Sequence, residues 1–259
     1  MSDVLVRRDG PVLHLTLNRP AQRNAMSIAM VQALREALAA AEADGQTRVI
    51  VLRGAEGHFC AGGDIRDMAA ARGDSAAVVQ LSAAFGELCV AYAQTGLATV
   101  AVLEGTVMGG GFGLACVVDV ALAGESVVFR LPETSLGLLP AQIGPFLVER
   151  LGLSEARRLA VTGARLGGAE ALSLRLVHEL HRDLALEPAL ARVLKDILQC
   201  APGAVAATKA LLARARLHTP ASLVHEAAEA FAAAVAGDEG AEGTAAFVAK
   251  RPARWVPVP

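Results

Sequence analysis

The run TVAVLEGTVMGGGFGLAC, residues 99–116, decides the fold. Thr99 to Leu103 is short, apolar and rich in β-branched residues, which predicts a buried strand. Gly105 and the cluster Gly109-Gly110-Gly111-Phe112-Gly113 follow, and a helical pattern comes after them. Glycine has no Cβ, so such a turn can bring backbone N–H groups at a helix start into a cleft that no side chain blocks. The same order appears upstream. Arg48 to Arg53 carries Val-Ile-Val-Leu at its centre, Gly54 to Gly63 is a turn, and a helical pattern begins at Asp64.

Outward from these two turns, Val4 to Arg8 and Val12 to Leu17 read as a hairpin around Asp9-Gly10-Pro11, closed by Asn18-Arg19-Pro20. Ser27 can cap a helix running to about Asp44, with Met30, Leu34, Leu38 and Ala41 at helical spacing. A long helix is expected over Ser75 to Gln94, and short strands at Asp119 to Ala123 and Val127 to Phe129. From Ser154 the chain has helical period and few strand signals apart from Leu176 to Leu180. Four helices fit there: Ser154 to Thr162, Glu187 to Cys200, Ala204 to Leu217 and Ser222 to Ala236. The expectation is an α/β core over residues 1–195, followed by a helical region over 196–259 of the kind that serves subunit association.

The chain has 259 residues, 54% apolar and 19% charged, which excludes a disordered or collagen-like protein. The 24 basic and 26 acidic residues are spread along the chain, with no continuous positive track for nucleic acid. The first ten residues lack the apolar core of a signal peptide. The longest uncharged stretches, Leu88 to Leu103 and Gly105 to Val118, fall short of a membrane span. Four scattered cysteines (Cys60, Cys89, Cys116, Cys200) suit a reduced, cytoplasmic protein. Neither they nor the six histidines have metal-ligand or triad spacing, so no metal is expected. Dinucleotide, P-loop, acyl-enzyme serine and zinc-protease motifs are all missing. Cys60 beside its glycine turn reads as a buried structural thiol.

Several motifs stand in a familiar order: Asn18-Arg19-Pro20 through Asn24-Ala25-Met26, His58-Phe59-Cys60-Ala61-Gly62-Gly63-Asp64, Gly105 with Gly109-Gly110-Gly111, Leu131 to Leu138, and Glu242-Gly243 with Phe247 and Lys250-Arg251. Together they resemble the enoyl-CoA hydratase/isomerase (crotonase) superfamily over nearly the whole chain. The resemblance implies an α/β spiral of ββα units, a C-terminal helical trimerisation region, and a homotrimer or homohexamer. It implies an acyl-CoA thioester substrate, with coenzyme A part of that substrate and no further cofactor. The N–H groups of Gly63 and Gly110 would form an oxyanion hole, worth on the order of 3–4 kcal/mol per donor to a developing enolate. Glu133 would be the acid/base, its pKa raised by desolvation among Leu131, Leu136 and Leu138. Arg23, Ala25, Ala61, Asp64 and Ile65 would line the CoA channel, with Asp64 also a helix-start charge. Phe247 and Lys250, sharing a face of the C-terminal helix at i and i+3, would reach the adenine and phosphates of CoA in the neighbouring subunit.

One departure bears on the reaction. Typical hydratases of the family carry a second glutamate where this chain has Gly113. Moving a double bond needs only one base, which favours an isomerase on chemistry alone. A closer resemblance, through residues 110–116, Leu131 to Leu138, Pro140 to Phe146, Cys200-Ala201-Pro202 and Ala206 to Leu212, points to bacterial hydratases of 3-branched glutaconyl-CoA esters. These include isohexenylglutaconyl-CoA hydratase of acyclic terpene breakdown and 3-methylglutaconyl-CoA hydratase, types that also lack the second glutamate. A hydratase is therefore expected, with isomerase as the alternative. A non-catalytic acyl-CoA binder and an acyl-CoA hydrolase or decarboxylase are the remaining classes. Arg130 is a weaker candidate, for the distal carboxylate of the substrate.

Overall fold

The computed structural model describes residues 2–70 and 73–257, which form two compact units. The first comprises Met1–Ala93 and Thr99–Leu190, and the second Gln94–Ala98 and Ala191–Pro259. The division falls a few residues before the 195/196 boundary read from the sequence, inside a helix.

In the first unit, strands β1 (Val4–Asp9) and β2 (Val12–Leu17) pair antiparallel about the turn at Gly10, whose φ of 53° suits glycine. Ser27 caps helix α1 (Ile28–Ala43) by accepting the Met30 N–H at 3.1 Å. This helix buries Met30, Val31, Leu34, Leu38 and Ala41, the apolar stripe that its period requires. Strand β3 (Val49–Gly54) then returns parallel to β2. Short helix α2 (Ile65–Ala70) and long helix α3 (Ser75–Gln94) precede β4 (Ala98–Leu103). Next come β5 (Thr106–Met108), α4 (Gly110–Val117), β6 (Val120–Gly124) and β7 (Val128–Arg130). Helix α5 (Gly144–Thr162), β8 (Arg165–Gly167), α6 (Gly168–Ser173) and β9 (Glu179–His181) complete the unit.

A six-stranded sheet has the order β1-β2-β3-β4-β6-β9, and a three-stranded sheet the order β5-β7-β8. Strand β4 is buried at every position, as expected of a strand covered on both faces. Asp119 joins β4 to β6: its Oδ2 accepts the Thr99 N–H at 2.7 Å and the Thr99 hydroxyl at 2.9 Å. This aspartate is a structural residue.

Helix α3 runs for 20 residues and is, by length and composition, apolar enough to cross a bilayer. Reading uncharged stretches alone passes over it because Glu87 interrupts the run. Its residues Val78, Leu81, Ser82 and Phe85 instead line a cavity of the first unit.

The second unit is helical: the C-terminal part of α7 (Leu186–Gln199), then α8 (Pro202–Ala215), α9 (Val224–Ala236) and α10 (Asp238–Val248). Both oxygens of Glu239 accept N–H groups at the start of α8, from Gly203 and Ala204, at 2.9 Å each. A carboxylate there also suits the positive end of the helix dipole.

Helix α10 stops at Val248, and Lys250 lies beyond it with φ 54°. The Lys250 N–H donates to the Phe247 carbonyl and the Arg251 N–H to the Ala246 carbonyl, at 3.1 and 3.0 Å. This is the paired-bond helix stop that usually has glycine at its left-handed position. Phe247 and Lys250 therefore do not share a helical face; the expectation of i, i+3 neighbours fails because the helix ends between them.

Candidate active site

The two glycine turns meet. The Cys60 N–H donates to the Thr106 carbonyl and the Met108 N–H to the Cys60 carbonyl, both at 2.9 Å, so the first turn pairs with β5. A Cβ at Gly111 would lie 2.6 Å from Cys60 Cβ, so only glycine lets the turns approach this closely. Cys60 is buried, and burial pushes its thiol pKa up to about 12, which fixes it as an inert packing residue.

A further ribbon supports the first turn. The Ala61 N–H donates to the Arg23 carbonyl at 3.0 Å, the Met26 N–H to Gly62 at 2.8 Å, and the Asp64 N–H to Met26 at 2.8 Å. Asn24 anchors this ribbon, its buried amide donating to the carbonyls of Ala55 and His58 at 2.9 and 2.6 Å. Arg19 pairs with Asp64 at 2.6 Å and donates to the Ala25 carbonyl at 2.6 Å. Burial works to raise the pKa of Asp64, but the Arg66 N–H and the Arg19 guanidinium prevail and hold it below the usual carboxylate value. Asp64 is thus a clamp on the Gly62–Gly63 turn.

A cavity of about 310 Å³ opens beside the turns. Gly63, Asp64, Gly110 and Glu133 all line it, so residues 70 positions apart in the chain come together as the sequence leads one to expect. Among the described residues, the N–H groups of Gly63 and Gly110 have no acceptor. Gly110 is the first residue of α4, where a helix leaves its N–H groups unpaired and presents the positive end of its dipole. Glu133 opens a short 3₁₀ turn ending at Leu136. Its Oε2 is buried and has no hydrogen-bond partner among the described residues. Burial raises its pKa above the ordinary glutamate value, with its own backbone N–H acting weakly the other way.

The elements that carry Gly110 and lead to Glu133 pack against one another. The buried rings of Phe112, on α4, and Phe129, on β7, lie 5.3 Å apart at 59°, a tilted pair worth about 0.5–1.5 kcal/mol beyond its buried area. The Gly109 N–H donates to the Arg130 carbonyl at 3.2 Å. Gly109 has φ 48°, and a Cβ there would lie 2.9 Å from Glu133 Oε1.

The remaining expectations need adjustment. Of the leucines expected around Glu133, Leu131 is buried and Leu138 lines the cavity, but Leu136 is 60% exposed because its turn faces outward. Ile65 starts α2 and is 68% exposed; it does not line the cavity. Arg23 is exposed with φ 48°, and Ala25 and Ala61 are half-buried in the ribbon beside the cavity. Arg130 Nε donates to the Gly163 carbonyl at 3.0 Å and braces β7. Phe247, 86% exposed, and Lys250 belong to the second unit. His58 accepts the Thr106 N–H at 3.1 Å and His178 the Ala121 N–H at 2.9 Å; both are structural.

Sequence reasoning missed the cavity wall: Met26, Met68, Phe85, Gln142 and Ile143. At Gly113, a Cβ would lie 2.3 Å from Ile143 Cγ2 and 3.4 Å from Phe85 Cζ. The place a second acid would need is therefore filled with hydrocarbon. No cluster of three or more His, Cys, Asp or Glu suited to a metal occurs among the described residues.

Two unpaired backbone donors, one desolvated carboxyl and an apolar cavity are the equipment of a protein that polarises a carbonyl oxygen and moves a proton at a nearby carbon. The enoyl-CoA hydratase/isomerase family model matches residues 7–257, and the chain belongs to that family, the crotonase family of acyl-CoA-processing enzymes. The fold superimposes on Pseudomonas aeruginosa AtuE with a TM-score of 0.96 and 53% identity, covering 98% of this chain and 100% of that one. The chain is 34% identical to 2,3-dehydroadipyl-CoA hydratase of Escherichia coli (strain K12) over 253 residues, 97% of each. It is also 37% identical over 199 residues to 3-hydroxyisobutyryl-CoA hydrolase 1 of Arabidopsis thaliana, but spans only 52% of that protein's length.

Proposed function

We propose that this enzyme adds water across the double bond of an enoyl-CoA, and that its substrate is a 3-branched glutaconyl-CoA such as isohexenylglutaconyl-CoA. The observation that carries the chemistry is the unpartnered, buried Oε2 of Glu133 in the same cavity as two N–H groups without acceptors. Glu133, ionised, takes a proton from water as the water oxygen bonds to C3. The electron pair of the double bond moves to the thioester oxygen, which the Gly63 and Gly110 N–H groups hold as an enolate. Glu133 then returns its proton to C2. Two preorganised donors acting on charge that develops only in the transition state raise turnover, not merely affinity.

The substrate class rests on the motif resemblance, and full-length similarity to a dehydroadipyl-CoA hydratase supports hydration. The filled position 113 favours a second reading, a single-base isomerase shifting the double bond. Incubation with 3-methylglutaconyl-CoA, followed by ultraviolet loss of the enoyl band and mass spectrometry, separates the two. Hydration adds the mass of water; isomerisation leaves the mass unchanged.

We further propose a homotrimer or homohexamer in which Phe247 and Lys250 of one subunit hold the adenine and phosphates of CoA bound to its neighbour. Exposed apolar side chains on the second unit, among them Leu212, Leu217, Phe231 and Val235, support an assembly. Arg23, Ala25, Ala61, Asp64 and Ile65 line the approach of the CoA arm in this reading. A cytoplasmic location, with no cofactor beyond the CoA of the substrate, completes the proposal.

A further inference from the structure

Most polar groups in the cavity wall are already engaged. Ser27 donates to Asp3 and caps α1, Asp64 is held by Arg19, and Asp67 Oδ2 accepts the Ile28 N–H at 3.0 Å. Besides Glu133, whose Oε2 has no partner, two lining side chains keep donor hydrogens to spare among the described residues. Gln142 Nε2 donates to Ser82 Oγ at 3.1 Å. That bond leaves the second carboxamide hydrogen of Gln142 and the Ser82 hydroxyl hydrogen without an acceptor among the described residues.

The position of Gln142 is built into the fold. Ser82 and Gly86 are four residues apart on α3, so they stand one above the other on the same face. Gly86 is buried in the middle of this helix, where glycine is unfavourable. A Cβ at Gly86 would lie 2.2 Å from Gln142 Oε1. The helix thus gives up a side chain at exactly one turn's distance from Ser82, and the carboxamide of Gln142 occupies the space. Around it the wall is hydrocarbon, with Leu81, Phe85 and Ile143 nearby in the lining.

We infer that Gln142 and Ser82 form a neutral polar notch that receives the distal carboxylate of the acyl chain and so selects a dicarboxylic thioester. The inference deepens the proposed substrate class and rests on that reading. Two donors converging from different elements can hold a carboxylate oxygen, and their removal leaves that charge facing hydrocarbon. An acyl chain ending in a methyl group gains nothing from the notch and must cover its donors.

Saturated thioesters test the notch without chemistry. Calorimetry compares glutaryl-CoA with pentanoyl-CoA, which has a methyl group in place of the carboxylate. Wild type is expected to bind glutaryl-CoA more tightly by about ten- to a hundredfold, the range for hydrogen bonds to a charged group. Gln142→Leu and the milder Ser82→Ala should each lower that preference towards parity, by weakening glutaryl-CoA binding and leaving pentanoyl-CoA binding as tight as before or tighter. A wild type without preference, or a preference that survives Ser82→Ala and Gln142→Leu, overturns the notch. Hydration of 3-methylglutaconyl-CoA by wild type is assayed in parallel and judges the proposed substrate separately. An enzyme that prefers glutaryl-CoA through these two residues yet leaves the glutaconyl ester unchanged keeps the notch and loses the substrate.

Discussion

Glu133 combines a buried carboxylate oxygen with no partner and a pKa raised by that burial. Glu133→Gln keeps the shape and removes the proposed base, so turnover should fall by about 10²–10⁴-fold with little change in CoA-ester affinity. The same substitution has a stability consequence whose sign follows from the pKa. A carboxyl whose folded value is raised contributes most below its unfolded value, and that contribution is lost as pH rises through the folded value. At neutral pH, Glu133→Gln should therefore melt at a higher temperature than wild type, and below about pH 4 the two should converge. Differential scanning calorimetry across pH checks this. With one carboxyl in the role, kcat/KM should rise with pH to a plateau along a single limb set by Glu133, rather than pass through a bell.

At the scale of elements, Gly110 sits at the first position of α4 with an N–H that no helix bond needs. Proline is tolerated at that position, so Gly110→Pro removes the donor while sparing the helix ladder. Turnover should drop about 10²–10³-fold, measured against a circular dichroism spectrum like that of wild type. Gly113, on the same helix, gives a contrasting case. Gly113→Glu drives a side chain against Ile143 and should destabilise the protein by about 1–3 kcal/mol from overpacking, with more for the buried charge. Urea unfolding would register the loss, and adding Ile143→Ala should recover part of it. The legibility of elements follows the same physics. Helix α1 and strands β1 to β4 are readable because cap, turn and apolar period agree in them. Helix α10 is expected only through the family resemblance, not from its period: Gly240 and Gly243 lower its propensity, yet they are there because neighbours approach closely, Ala234 O and the Trp255 ring lying 2.1 and 3.0 Å from where their Cβ atoms would be. Glu133, Gly63 and Gly110 stand out as polar or glycine residues in apolar surroundings. Phe85 does not, since apolar residues at helical spacing look the same in a core as in a pocket wall, and Gln142 and Ile143 lie in a turn before α5, where no period assigns a face.

At the scale of the whole molecule, the C-terminal segment carries both a stabilising ion pair and the residue proposed to meet the CoA phosphates. Glu242 accepts from Arg251 at 2.7 and 3.0 Å, and this pair, together with the Arg254 N–H, overcomes burial to hold its pKa down to about 2. Its contribution is present above the ordinary glutamate value and fades only as pH falls towards 2. Between those fixed points Lys250 keeps a left-handed backbone that glycine would adopt more readily, at a cost of roughly 1 kcal/mol. Lys250→Gly should therefore raise stability, and Lys250→Ala should not. If the ammonium binds a CoA phosphate, both should weaken acyl-CoA binding equally, reduce its salt dependence, and leave binding of the acyl-pantetheine unchanged. Equal affinity of all three proteins for acyl-CoA would remove Lys250 from the site. The hydrocarbon at position 113 also has a stereochemical meaning. If the enoyl group stacks on the Ile143–Phe85 hydrocarbon, Glu133, the proposed base, reaches it from one face only. Oxygen and hydrogen must then arrive from the same side, and hydration in deuterium oxide should give a single diastereomer with deuterium and hydroxyl added syn, visible in the product as one C2 proton resonance instead of two.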